Sequence, residues 1–389
     1  MTGRDMSISA EERYLIEETL RIAEARTTHM VPEVMDNPIA KYTDPKQYEA
    51  EVNTLFRNFP IIIGHVSDLA EPGDFITHDH FGVPILVTHA QDGNVRAFLN
   101  VCRHRGAKLT KEPCGKARTI SCPYHAWTYS LDGKLRGIPQ AFGFDGVDKS
   151  KRGLVELPVF NRFGLIWVVP SVQDHTIDID TWLQPMAEQM TGLDMSNQHV
   201  YRKWTLEKKM SWRFLLEAFQ ESYHFCYAHR DTACAGYLDN QSVQINFDPH
   251  VRHAVPLPKV LELRDQHPDT WDYRSNFMTQ NYIFPANFVQ VMTDHIYIHT
   301  IIPTGIDTCV FQCMMLINEV PQTEKAERYF QKNYDLIRQV FEEDFEIGEG
   351  IQAGLHSGAN TGFIFGTYEC GLHFGQKAID AALAGKIRV

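Results

Sequence analysis

Cys102-Arg103-His104 is followed, after 17 intervening residues, by Cys122-Pro123-Tyr124-His125. Each half offers one thiolate and one imidazole. This mixed set suits a [2Fe–2S] cluster in which Cys102 and Cys122 hold one iron and His104 and His125 hold the other. Zinc accepts the same atoms. Zinc fingers, however, pair like with like, and here each loop mixes the two types. Gly106 and Pro123 permit tight loops whose N–H groups point at sulfur. Imidazole is neutral where cysteinate is anionic, so the His-bound iron is the one reduced. Such a chain moves electrons.

A second constellation lies in the segment from Glu217 to His229. Two histidines with nearby carboxylates suggest a metal. In a helix, Glu217, Glu221 and His224 fall at i, i+4 and i+7 and share a face. His229 lies five residues beyond His224, about 140° around a regular helix. Both rings reach one ion only if the helix ends or bulges near 226–228. The bland alternative is a helix with one buried and one solvated histidine. Further on, Glu342, Glu343, Asp344, Glu346 and Glu349 crowd one stretch, and spacing alone does not choose among them.

These residues need scaffolds. At 389 residues the chain suits two domains and a sizeable core. Hydrophobic residues make up 43% and charged residues 22%, ordinary for a globular protein. A formal net charge of −12 argues against nucleic acid and anionic membrane surfaces as partners. No apolar stretch approaches the ~20 residues of a membrane span. Met1-Thr2-Gly3-Arg4-Asp5 leads into a charged helix, not an apolar signal segment. Eight cysteines, two of them given to iron, point to a reducing cytoplasm without a disulfide framework.

Ser9-Ala10-Glu11-Glu12 reads as a capping box. It opens an amphipathic helix to about Ala25, with Tyr14, Leu15, Leu20 and Ile22 facing inward. From about 45 to 165, short strands such as 61–64, 84–87 and 165–169 alternate with turns, and Asp132-Gly133 marks a hairpin. After Pro170 the chain turns acidic and helical to about 200. A helix is predicted over 206–229, long strands over 240–320, and one long helix over 324–354. The last has Phe330, Tyr334, Ile337, Val340 and Phe341 at apolar spacing. A helix across an antiparallel sheet is the implied architecture. The substrate pocket is expected between the helix around 214–219 and strands from 282 to 301. Along 292–299 the sequence leaves open which strand face lines it. Apolar and aromatic residues dominate there, which fits a hydrophobic small molecule.

The stretch from Asn100 to Gly106, with Cys122-Pro123-Tyr124-His125-Ala126-Trp127, resembles a Rieske centre of the oxygenase type. Respiratory Rieske proteins clamp these loops with a disulfide. Here Ala107 and Tyr124 stand in those places, and Cys114 has no obvious partner. The segment Glu221–His229 resembles the mononuclear-iron motif of Rieske non-haem iron oxygenases, the family of aromatic ring-hydroxylating dioxygenase α subunits. The resemblance makes His224 and His229 iron ligands. Most relatives carry Asp three residues before the first ligand; this chain carries Glu221, as carnitine-type monooxygenases do. The late acidic helix is similar to the family's, and the match implies Asp344 as third ligand, completing a facial triad for Fe(II). Tyr223 either hydrogen-bonds near the iron or packs.

The family implies an α+β fold. An antiparallel β Rieske [2Fe–2S] domain is expected over 45–168. A helix-grip (START-like) catalytic domain with an antiparallel sheet and long helices is expected over 169–389, with an N-terminal helical segment, 1–44, packed on it. The implied cofactors are the Rieske [2Fe–2S] cluster and a mononuclear Fe(II). The implied activity is that of a terminal oxygenase taking electrons from a separate reductase or ferredoxin, since no flavin or nicotinamide motif is present. It would use O₂ to mono- or dihydroxylate an aromatic or other hydrophobic small molecule. Oxidative N- or O-demethylation of a methylated or quaternary amine is the enzymatic alternative, prompted by Glu221. A homotrimer is implied, in which Glu221 bridges His104 or His125 of the partner subunit to His224. Arg103 and Arg105 would steer an acidic donor. A pure Rieske electron carrier and a zinc-structured binding module are the readings from other classes.

Overall fold

The computed structural model describes residues 8–79 and 82–389. The N-terminal run 1–5 therefore lies outside the described residues. The chain divides into two units. Among the described residues, one comprises 51–198 with 302–304 and 388–389; the other comprises 8–50, 199–301 and 305–387.

The first unit is built from short antiparallel sheets. A five-stranded sheet runs in the order 156–157, 95–99, 85–89, 74–78, 114–116, and two three-stranded sheets accompany it. The hairpin forms as expected. Strands Thr128–Ser130 and Leu135–Gly137 pair across Gly133, which has φ +80°. A Cβ there would lie 2.5 Å from the Phe98 ring, so the turn needs glycine twice over. Cys102, Cys122, Trp127, Tyr129, Leu131 and Leu135 share one buried core with Phe75 and Leu86. This unit extends to Gln198 instead of ending at 168. The acidic helical stretch belongs here because its apolar side is buried: Ile179, Trp182, Leu183 and Met186 are inside, with the Trp182 ring 5.4 Å from Phe59.

The second unit carries a seven-stranded sheet in the order 199–208, 308–317, 295–305, 287–291, 277–283, 251–256, 243–246. The helix Glu324–Leu355 provides the long helical element of the unit. Its buried residues, Ile337, Phe341, Asp344, Phe345, Gly348, Gln352 and Leu355, recur at helical spacing and form one stripe. Phe341 and Phe345 meet Phe311 of the sheet at 5.2 and 5.3 Å. Helix Ala10–Ala25 has the Ser9/Glu12 capping box. It buries Leu15, Ile16 and Ile22 against Val243, Ala254 and Phe277. Tyr14, expected inside, is 45% exposed; Ile16 and Thr19 take the inner face instead.

The helix expected over 206–229 is not continuous. Residues up to Lys208 finish a strand. A helix spans Trp212–Ala218, the chain breaks at 219–224, and a single turn follows at Phe225–Ala228. Among the described residues no helix is long and apolar enough to cross a membrane. The expectation of a chain without disulfides fails at one place, because Cys226 and Cys234 are bonded. Cys114 is free and exposed.

Candidate metal centres and substrate cavity

The cluster loops are shaped by backbone hydrogen bonds. Val101 bridges Lys108, Cys102 N–H donates to Ala107 O at 2.8 Å, and Gly106 N–H donates to Cys102 O at 3.0 Å. The second loop repeats the pattern: Cys122 N–H donates to Trp127 O and Ala126 N–H to Cys122 O, both at 2.9 Å. Asn100, fully buried, accepts from the N–H groups of Leu109 and Thr110 and so pins the strand that leads into the first loop.

The sulfurs are buried, Cys102 2% and Cys122 4% exposed. Burial pushes the Cys122 thiol up, while the N–H groups of Tyr124 and His125 hydrogen-bond its sulfur and favour the thiolate. The Tyr129 hydroxyl accepts from Arg103 N–H at 3.0 Å and lies 3.5 Å from Cys102 Sγ, to which it can donate. His104 stacks on Trp127 at 4.8 Å and meets His125 at 4.7 Å. Its Nδ1 is buried and has no protein partner, as a metal-binding nitrogen requires.

His224, His229 and Asp344 do form a compact group, with one ligand atom from each within 4.8 Å of the others. His224 and His229 flank the single turn at 225–228, and the break before that turn brings them together. The break is held from outside. Gln244 Nε2 donates to Gln220 O at 2.9 Å, and a Cβ on Gly371 would lie 2.2 Å from that carbonyl. Helix Cys370–Leu383 therefore needs glycine there to approach. Asp344 is 7% exposed on the inner stripe of the long helix, whereas Glu346 and Glu349 are exposed. Burial thus selects Asp344, which spacing did not.

His224 Nε2 and His229 Nε2 lie 3.6 and 3.1 Å from Asp344 Oδ1. Their other nitrogens are occupied. Glu221 Oε1 takes His224 Nδ1, and Glu343 Oε2 takes His229 Nδ1 at 2.8 Å. With Nδ1 donating to its carboxylate, each neutral ring would present its Nε2 lone pair to a metal, the tautomer a metal ligand requires. Thr232 Oγ1 also donates to Glu343, at 2.7 Å. Burial opposes charge on both rings, but Glu221 raises His224, and Asp344 followed by Glu343 raises His229. These donors fit an Fe(II) with its other face open. Sequence reasoning did not assign Glu343, Thr232, Asn100 or Tyr129 a role. Glu343 stood in the acidic run, but only tertiary packing shows its partner.

Two cavities meet this group. The first, about 260 Å³, is lined by all three residues and by Phe219, Phe277, Tyr297 and Phe341. Strand Phe277–Ile283 and His253 line it too, outside the region expected to do so. His295 and Tyr297 face it while Ile296 and Ile298 do not, which answers the question of strand face. The second cavity, about 530 Å³, shares Glu221, His224 and Asp344 and adds Glu217 and Glu369. Tyr223 lines this second cavity. Its ring, 42% exposed, lies 4.7 Å from that of Tyr368. Burial lifts Glu217 to about 7, and the Tyr42 hydroxyl donates to it.

Residues 59–148 match the Rieske [2Fe-2S] domain family, and residues 195–385 match the catalytic domain of the ring-hydroxylating alpha subunit. The chain belongs to the Rieske non-haem iron oxygenases. Its two domains are thus a Rieske [2Fe–2S] domain and a catalytic domain that binds mononuclear iron. Over 225 residues it is 30% identical to the glycine betaine monooxygenase oxygenase subunit of Chromohalobacter salexigens, covering 58% of this chain and 48% of that one. The chain thus spans about half the length of that relative. It is 28% identical over 344 residues to the carnitine monooxygenase oxygenase subunit of Acinetobacter baumannii, covering 82% and 85%. A quaternary ammonium Rieske monooxygenase in complex with L-carnitine shares the fold, with a TM-score of 0.76 at 22% identity over 91% of this chain and 99% of that one.

Proposed function

We propose that this chain is the terminal oxygenase of a Rieske system. It would use O₂ and electrons from a separate reductase or ferredoxin to hydroxylate an aromatic or other hydrophobic small molecule. The observation that carries this reading is the convergence of His224, His229 and Asp344 on an aromatic-lined cavity. Cys102 and Cys122 would hold one cluster iron and His104 and His125 the other; His224, His229 and Asp344 would hold the Fe(II). When bound, these groups supply one-electron transfer and activation of O₂.

The protein's part is positional. Glu221 and Glu343 orient the two imidazoles, Asp344 brings the charge, and Phe219, Phe341 and Tyr297 exclude water from the reacting carbon. We place Glu221 as the bridge to the partner subunit's His104 or His125 in a homotrimer, supported by its grip on His224 Nδ1. Cys114, Cys309, Cys313 and Cys370, outside both the cluster and the disulfide, support a cytoplasmic setting.

A second reading, oxidation of a quaternary amine, is favoured by the names of the relatives and by Glu221. Aromatic rings in the cavity can hold an ammonium by cation–π attraction. Against it, among the described residues no lysine or arginine lines the cavity to meet a betaine carboxylate.

Product analysis with ¹⁸O₂ and a surrogate reductase, over aromatic acids, phenolic ethers, steroids and methylated amines, separates the two. Glu221→Ala should retain about three irons per chain yet lose reductase-coupled turnover. Full activity in that variant would refute the bridge.

A further inference from the structure

The cavity floor is crossed by a line of polar side chains. In the sheet register His253 faces Gln280, Gln280 faces Gln290, and Gln290 faces Tyr297. Residues paired across adjacent strands project from the same face. The four therefore form one row over four strands, and all four line the cavity that holds His224, His229 and Asp344. They are 1–6% exposed.

The outer member of the row is satisfied: the Tyr297 hydroxyl donates to Asn333 O at 3.2 Å. Gln290 Nε2 reaches only Met292 Sδ, at 3.6 Å. At the other end Gln280 Nε2 donates to Phe219 O at 3.5 Å, but the acceptor atom of each residue is left over. His253 Nε2 and Gln280 Oε1 are buried without a partner, side by side in the row. Buried polar atoms are nearly always paired, so an unpaired couple facing a cavity marks where a ligand binds.

The chemistry of the lining narrows that ligand. Among the described residues that line it, carboxylates stand only at the metal end, as Glu221 and Asp344, and none is a lysine or arginine. Burial holds His253 neutral by pushing it down to about 3. The floor thus offers uncharged hydrogen bonding, and the walls offer aromatic surface.

We infer that His253 and Gln280 are specificity-determining residues that bind an uncharged amide or hydroxyl group on a mainly apolar substrate, turning the rest of its body toward the metal. This deepens the oxygenase reading and rests on it. A site built to hydrogen-bond a substrate discriminates strongly against an analogue that lacks the group.

The test uses the metal-loaded protein and calorimetric titration with four probes: phenylacetamide, its apolar isostere isobutylbenzene, phenylacetate and glycine betaine. Phenylacetamide should bind about tenfold tighter than isobutylbenzene. Gln280→Met and His253→Phe should each shrink that preference, with the visible absorption of the cluster reporting that the variant is folded. Equal binding of the two neutral probes overturns the inference. So does an undiminished preference in both variants, tighter binding of phenylacetate or glycine betaine, or no binding of phenylacetamide. The comparison in the parent protein decides even where a variant does not fold. Iron content and reductase-driven O₂ uptake of the same preparation test the oxygenase reading separately.

Discussion

The two metal centres are built on opposite principles. The cluster loops are short, close in sequence, and held by their own backbone: each cysteine N–H and C=O is used within its loop. The mononuclear site gathers side chains more than a hundred residues apart and holds them through a second layer of carboxylates, Glu221 and Glu343. Only this second centre carries a disulfide, which joins Cys226 and Cys234 around His229. A centre held by its own loops tolerates change elsewhere; one assembled from distant elements does not.

The sharpest way to break this contrast is Asp344→Ala. It should remove the mononuclear iron and reduce turnover on the order of a thousandfold or more, given the loss of a ligand. The visible and EPR signals of the cluster should persist. Loss of both centres together would show that they are not independently built.

Glu343→Gln tests the supporting layer. The His229 Nδ1 contact at 2.8 Å would lose its charge, and Fe(II) affinity should fall by about 10- to 100-fold. Metal-binding titration checks this, with the cluster absorbance as internal control.

The disulfide offers a third test. Its eight-residue span closes a small loop, so Cys226→Ser should lower stability by about 2 kcal/mol. Reductant should shift the thermal transition of the parent and leave that of the variant in place.

The smallest effect concerns Glu217. Folding raises its pKa from 4.5 to about 7, so the folded state binds the proton more tightly than the unfolded chain. Stability linked to this group is therefore full below the unfolded value and is lost as pH rises through about 7. Glu217→Gln should change little at pH 5 and stabilise by on the order of 2 kcal/mol at pH 8. Denaturant midpoints at the two pH values decide it. A variant less stable at pH 8 contradicts the sign.

The ligand types and spacings of the cluster were legible in the primary chain, because both loops are local and the chemistry of Cys and His is carried by residue type. It determined the first helix through its capping box, and the long helix through its apolar period, since neither needs distant contacts to be recognised. It also placed His224 and His229 as a pair, but drew one helix where the chain breaks at 219–224. That break depends on Gln244 and Gly371, which lie elsewhere in the sequence. The family resemblance already implied Asp344; the tertiary structure supplied the physical reason, its burial among exposed or half-buried acids, and gave Glu343 its histidine. It likewise aligned His253, Gln280 and Gln290, because strand register joins residues whose separation along the chain carries no trace of their meeting.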